Sequence, residues 1–316
     1  MHLILWLAAC LSGQPSSSAD PAPAPVAEAA RTQGPHPSGL DVVLLGTGTP
    51  VPDPNRQGPA IAMVFQGMSM VFDAGPGVVR QAAAAAVTHR QPALEPGKVR
   101  YVFLTHLHSD HTTGLPDLML GGWVLGRATP LRVLGPPGTK ALVDGILAGW
   151  GEDIEVRQGV EELPPRGIKI EVTEIEADGE VLDTHGVKVA AFTVPHGTWP
   201  HALGYRVDAG GRSVVLSGDT DRSEAVSQAC SGCDLLLHEV YSEAGFEVTN
   251  SKSFQRYHST FHTSGPEVGE IATLGQAKEV VLYHQLFFGH DEASIVREVQ
   301  STYSGPVTSG NDLDRF

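Results

Sequence analysis

Residues 105–114 read THLHSDHTTG, and four of the six positions from His106 to His111 are metal-binding types in the pattern H-x-H-x-D-H. Two histidines two apart in an extended turn can face one metal. Asp110 and His111, displaced by the turn, can face a second. Neutral imidazole and carboxylate suit Zn²⁺ and other divalent transition ions, so the segment offers a metal-assisted hydrolytic centre. A lone histidine is usually a core or surface residue. This density of ligand types directly after an apolar run is not background. Further candidates share the placement: His196 follows AAFTVP, Asp219 follows SVVLSG, His284 follows VVLY and Asp73 follows MVF.

The elements that would position these residues alternate along the chain. Apolar, β-branched runs bounded by Gly, Pro or polar turns predict strands at 41–45, 61–65, 69–72, 100–104, 131–134, 188–194, 213–216, 234–237 and 279–282. Helical periodicity predicts helices at 78–88, 139–148, 223–229, 266–274 and 293–302. In an α/β fold, side chains at the carboxyl ends of neighbouring strands converge on one rim of the sheet. Convergence of the candidate ligands is therefore expected from their positions alone. Gly46-Thr47-Gly48 lacks the Lys of a phosphate-cradling P-loop and reads as a tight turn at a strand end.

With 41% hydrophobic and 18% charged residues, the 316-residue chain has the composition of a globular enzyme rather than a disordered or fibrous protein. From Leu40 onward no linker or internal repeat recurs, so residues 40–316 read as one domain. The opening MHLILWLAAC is too short to span a bilayer and resembles a bacterial lipoprotein signal, residues 1–10, with lipid attachment at Cys10. Residues 11–39, rich in Pro, Ala and Ser, read as a tether that cannot bury enough apolar surface to fold. The expected location is thus the periplasm or cell surface, lipid-anchored to a membrane. Cys230 and Cys233 could pair in an oxidising compartment, but the apolar run after Cys233 favours a buried thiol. The net charge of −15, with no Lys/Arg cluster, disfavours long nucleic acid as a partner.

The motif is similar to the signature of the metallo-β-lactamase superfamily, and more closely to its ribonuclease Z and arylsulfatase-like branch. LLGTGTPVPDPNRQGPA, VFDAGPG, HGTWPHALGYRV, SGDT and LLLHEVY resemble that branch's blocks in the same order. The resemblance implies an α/β fold, a four-layer αββα sandwich in a single domain. It implies that His106, His108 and His196 hold one metal, that Asp110, His111 and His284 hold the other, and that Asp219 bridges them. His196 is preferred to His201, which sits in the turn PHALGY, and His262 to His258, because His262 precedes Thr-Ser-Gly-Pro and a helix. His262 with Glu239 as partner, together with Asp110, is the implied catalytic set. Asp73 would orient a ligand histidine.

Two divalent ions, zinc before iron or manganese, would lower the pKa of a shared water toward neutrality and supply hydroxide for attack on phosphorus, sulfur or an acyl carbon. Bacterial ribonucleases of this branch carry a long basic arm between the third histidine and the bridging aspartate, whereas here His196 and Asp219 are 23 positions apart and Tyr205 is joined to Asp219 by a bare hairpin, RVDAGGRSVVLSG. The expectation is therefore hydrolysis of a small anionic phosphodiester or sulfate ester. The alternatives are a ribonuclease Z-type tRNA endonuclease, a lactonase or other acyl hydrolase, and a metal-dependent binding module. β-Lactam hydrolysis is disfavoured by aspartate at 219, where true β-lactamases commonly carry cysteine. Beyond the ester substrate, the partners expected are a membrane, through Cys10, and a second copy of the chain as a homodimer.

Overall fold

The computed structural model describes residues 34–36, 38–161, 163–247 and 251–316. Cys10 and most of the tether lie outside the described residues. Among the described residues the strands are β1 (Leu40–Gly46), β2 (Ala60–Phe65), β3 (Met68–Phe72), β4 (Tyr101–Phe103), β5 (Leu131–Gly135), β6 (Ile170–Glu174), β7 (Gly179–Thr184), β8 (Val187–Thr193), β9 (Leu203–Ala209), β10 (Arg212–Leu216), β11 (Leu235–Tyr241), β12 (Val280–Leu286) and β13 (Val307–Ser309). The helices are α1 (Val78–Thr88), α2 (Ser109–Thr112), α3 (Leu115–Val124), α4 (Thr139–Gly149), α5 (Gly151–Val160), α6 (Glu224–Cys230), α7 (Glu243–Glu247), α8 (Lys252–Phe261), α9 (Gly265–Leu274) and α10 (Glu292–Gln300). None of them is long and apolar enough to cross a membrane.

Strands β1 to β6 form one sheet in sequence order, and β7 to β13 form a second, likewise in sequence order. Each sheet begins with antiparallel hairpins and ends with parallel strands. The alternation of side chains along each strand explains the layering. Val42, Leu44, Met63, Phe72 and Phe103 of the first sheet meet Val189, Tyr205, Val207, Leu216 and Leu237 of the second in a core between the sheets. Residues of opposite parity face outward: Val43, Val71 and Val102 pack under α1, α3 and α4, while Val215, Leu236 and Val240 pack under α6, α9 and α10. Helix, sheet, sheet, helix is the four-layer sandwich expected.

Several expected boundaries are corrected. β11 and β12 run to Tyr241 and Leu286, well past the polar residues read as strand ends. Helix α3, LPDLMLGGWV, is apolar nearly all round and so lacks the amphipathic period that marks a surface helix. The edge strands β6 and β7 are half-exposed and interleave acidic residues with their apolar ones, so no apolar run marks them. Cys230 and Cys233 are joined in a disulfide rather than free. The left-handed turn at Ser231 and Gly232, with φ of 38° and 84°, reverses the chain after α6 and brings the two Cα atoms to 4.7 Å.

The C-terminal segment ties the first sheet's edge in place. Val42 and Leu44 of β1 exchange backbone hydrogen bonds with Phe316 and with the 313–314 segment. Asp312 accepts bonds from the backbone and hydroxyl of Thr47, from the backbone of Gln57 and from the side chain of Gln81, all at 2.7–2.9 Å. One carboxylate thereby fixes the turn after β1 and the loop that leads into β2. Asp312→Ala leaves those donors without partners, and the expected cost is roughly 2–4 kcal/mol. Thermal unfolding should shift down by roughly 5–10 °C. A shift under about 2 °C would show that Asp312 does not anchor this corner.

Candidate metal centre

Each sheet delivers its chemistry-bearing residues to the same end of the sandwich. His106 and His108 follow β4, with Asp110 and His111 on the single turn of α2. His196 follows β8, Asp219 follows β10, Glu239 lies within β11 and His284 within β12. Two backbone features aim the aspartate and the last histidine. Gly218 has φ of 65°, and a Cβ there would stand 2.5 Å from the Leu203 carbonyl oxygen, so the turn before Asp219 requires glycine. His284 has φ of 45°, beside an irregularity in the β11–β12 register, so its ring leaves the regular alternation of the strand.

The donor atoms fall into two groups. His106 Nε2 lies 2.9 Å from His108 Nδ1, which lies 3.2 Å from His196 Nε2. On the other side, His111 Nε2 and His284 Nε2 stand 3.5 and 3.3 Å from Asp110 Oδ2, and 3.3 and 3.4 Å from Asp219 Oδ2. Metal–nitrogen bonds of 2.0–2.1 Å in a tetrahedron place ligand atoms roughly 3.3 Å apart, so these separations fit two ions. Two buried atoms, His111 Nε2 and Asp219 Oδ1, have no hydrogen-bond partner, as expected of atoms reserved for a cation. A carboxylate with one oxygen in the second group and the other free is the donor that two neighbouring ions can share.

Outer partners hold the rings. Asp73, at φ of 59°, accepts from Thr105 and lies 2.8 Å from His111 Nδ1. His196 Nδ1 lies 2.7 Å from the Phe261 carbonyl oxygen, and His106 Nδ1 3.0 Å from Thr105 Oγ1. Each contact directs the opposite ring nitrogen inward. His262 Nδ1 is 3.3 Å from Glu239 Oε2 and 4.0 Å from Asp219 Oδ2. Glu239 Oε1 accepts from the backbone N–H of Thr263 and Thr220, and the capping box of Ser264 and Glu267 fixes the start of α9 immediately after. His258 bonds to the Phe254 carbonyl instead, and His201 is exposed.

Burial dominates the charge states of the first group. It pushes His196 down to about 4 and holds His106 well below the ordinary imidazole value, so both are neutral donors. In the second group burial works the same way on His111, but Asp219 and Asp73 outweigh it and hold its pKa well above that value. His284 is likewise raised, against its burial, by Asp219 and Asp110. Burial would lift Asp219, yet His284 and His111 hold it well below the carboxylate range.

A family model described as a beta-lactamase superfamily domain matches residues 69–285, and these contain every donor named above. The chain belongs to the metallo-β-lactamase superfamily. Its ribonuclease Z branch is shown by relatives. A protein named ribonuclease Z from Mycobacterium bovis (strain BCG / Pasteur 1173P2) is 33% identical over 287 residues, covering 87% of this chain and 97% of that protein. One of the same name from Mycobacterium marinum is 32% identical over 288 residues, covering 87% and 98%. The crystal structure of the short form of human tRNase Z has the same fold, with a TM-score of 0.63 at 23% identity, covering 87% of this chain and 98% of that one. The metallo-beta-lactamase fold protein YhfI from Bacillus subtilis gives 0.64 at 19% identity, covering 88% and 98%. This metallo-β-lactamase chain is accordingly a hydrolase, and its fold implies divalent metal ions.

The comparisons overturn the expectation that disfavoured long nucleic acid. Proteins named ribonuclease Z match this chain over nearly their whole length, so the bare β9–β10 hairpin does not set it apart from them. Net charge is a sum over the whole surface, whereas a phosphodiester responds to the field where it binds. Cavity size is no better guide. A cleft of about 700 Å³ is lined by Arg100, Tyr101 and Arg132 at the opposite ends of the strands, while one of about 420 Å³ borders Ser109 and Asp110.

Proposed function

We propose that this chain is a metal-dependent ribonuclease that hydrolyses a phosphodiester bond of RNA. The observation that carries the reading is identity of 33% to a ribonuclease Z over 97% of that relative's length, with the donor set complete. His106, His108 and His196 would hold one ion and Asp110, His111 and His284 the other, with Asp219 between them and zinc the ion that best suits these nitrogens and oxygens. When bound, such ions acidify water and neutralise charge on phosphoryl oxygens.

His262 and Glu239 supply the proton. Burial, reinforced by Asp219, holds the Glu239 carboxyl well above its ordinary range, while burial pushes His262 down to about 4. The resting pair is then a protonated carboxyl beside a neutral ring. Glu239 Oε1 accepts from two backbone N–H groups, which leaves Oε2 as the hydroxyl facing Nδ1. As the P–O bond to the leaving oxygen breaks, Nε2–H passes its proton to that oxygen, and Oε2–H passes its own to Nδ1. The pair ends as carboxylate and neutral imidazole, and the leaving group departs as an alcohol.

A structured RNA with a 3′ extension, a small phosphodiester, an aryl sulfate and a lactone, each offered to the metal-loaded protein, test the reading. RNA should be cut with the highest kcat/KM. Turnover of any small ester with the RNA left intact would replace the proposal with hydrolysis of that ester class. For the proton donor, His262→Ala should keep both ions and lower kcat by about 10²–10⁴-fold. The loss should be smaller when nitrophenolate leaves, since it departs without a proton. Glu239→Gln, whose amide cannot pass a proton to Nδ1, should show the same pattern with a loss of similar size. Loss of an ion in His262→Ala, or equal losses for good and poor leaving groups, would make His262 a ligand instead.

A further inference from the structure

His108 and Asp110 are the half-buried members of the donor set, so solvent reaches the site past them. Two aromatic rings lie beside the donor set, one directly on His108 and one behind His196. Trp199, in the loop between β8 and β9, has its ring centroid 4.2 Å from that of His108, inclined by 59°, and 5.9 Å from that of His106. Its backbone N–H donates to the His196 carbonyl, and part of the ring packs on the core beneath β8 and β9. Tyr257, on α8, is 45% exposed and stacks on Phe261 at 4.2 Å with 19° between the planes. Phe261 in turn meets the edge of His196, and a Cβ at Gly197 would stand 2.1 Å from its ring, so the loop carrying Trp199 and the helix carrying Tyr257 are pressed together. Asp219 and Asp110 are near enough to Tyr257 to add to the effect of burial in raising its pKa.

Trp199 packs on the ligand His108, while other donor histidines have holds of their own. His106, His111 and His196 are fixed by Thr105, Asp73 and the Phe261 carbonyl. What two partly exposed π-faces beside a phosphate-binding centre can recognise is a planar ring attached to that phosphate. We propose that Trp199 and Tyr257 form a stacking platform for the nucleobases flanking the scissile phosphate of single-stranded RNA. The inference rests on the ribonuclease reading and names the part of the substrate held. Stacking accepts any base, since every base has a π-face, so the platform gives grip on a single strand without a sequence code.

The test compares a short single-stranded RNA with the same RNA made abasic at the nucleotides flanking the cut, using the metal-loaded protein. The wild type should prefer the base-bearing substrate in kcat/KM. Trp199→Ala should reduce that preference about tenfold, chiefly through KM, because one base stack is worth about that factor. Trp199→Phe should keep most of it, and Tyr257→Ala should lose part. An undiminished preference in both alanine variants would overturn the platform. If the wild type cuts neither RNA, the ribonuclease reading fails, and binding of the two oligonucleotides by fluorescence anisotropy decides the platform. Tighter binding of the base-bearing strand that Trp199→Ala abolishes would sustain it, and equal binding of both strands by the wild type would overturn it.

Discussion

A single buried carboxylate, Asp219, organises the functional end of this molecule. Burying an unpaired charge costs several kcal/mol, and Asp219 is almost wholly removed from solvent. The imidazoles of His111 and His284 offset that cost through Oδ2, and the Oδ1 atom has no hydrogen-bond partner. Those imidazoles carry their own burial penalty, which Asp73 and Asp110 reduce. The centre is therefore a set of groups that are mutually dependent on one another and on cations. Removing any one of them leaves its partners buried without compensation.

That dependence explains the architecture around it. Each sheet carries part of the set, so the two sheets must keep a fixed relative position at the end where they meet. Tyr205, buried between the sheets, helps fix it: its hydroxyl donates to the Leu104 carbonyl just before His106, and its ring meets the edges of Phe72 and Phe103. Asp312 and the C-terminal segment hold the first sheet's outer edge, and the capping box of α9 holds the strand end beside His262. Left-handed backbone at Asp73 and His284 would be unfavourable elsewhere. Here surrounding packing and hydrogen bonds impose it, and it turns both side chains toward the centre.

Much of this was legible because the chemistry is local in sequence. The H-x-H-x-D-H segment carries four donors within two turns of chain, and His196 and Asp219 follow apolar strands, as strand-end ligands should. His284 was legible as a donor but not as a residue inside β12, because a positive φ and a register irregularity cannot be read from VVLYHQL. Helix α8, KSFQRYHSTF, carries Ser, Phe, Tyr and His, which are weak helix formers, and its helicity depends on packing Phe254, Tyr257 and Phe261 against neighbours. The disulfide depended on a two-residue left-handed turn. The class of substrate was least legible, since overall acidity says nothing of the field at one rim of the sandwich.

The central claim is that Asp219 joins two cation sites into one unit. Metal content of the purified full chain, prepared without chelator, measured beside that of Asp219→Ala, tests it most directly. The account predicts close to two divalent ions per wild-type chain and fewer than one in the variant, with the fold retained by circular dichroism. Two ions in the folded variant, or fewer than one in the folded and active wild type, would contradict it.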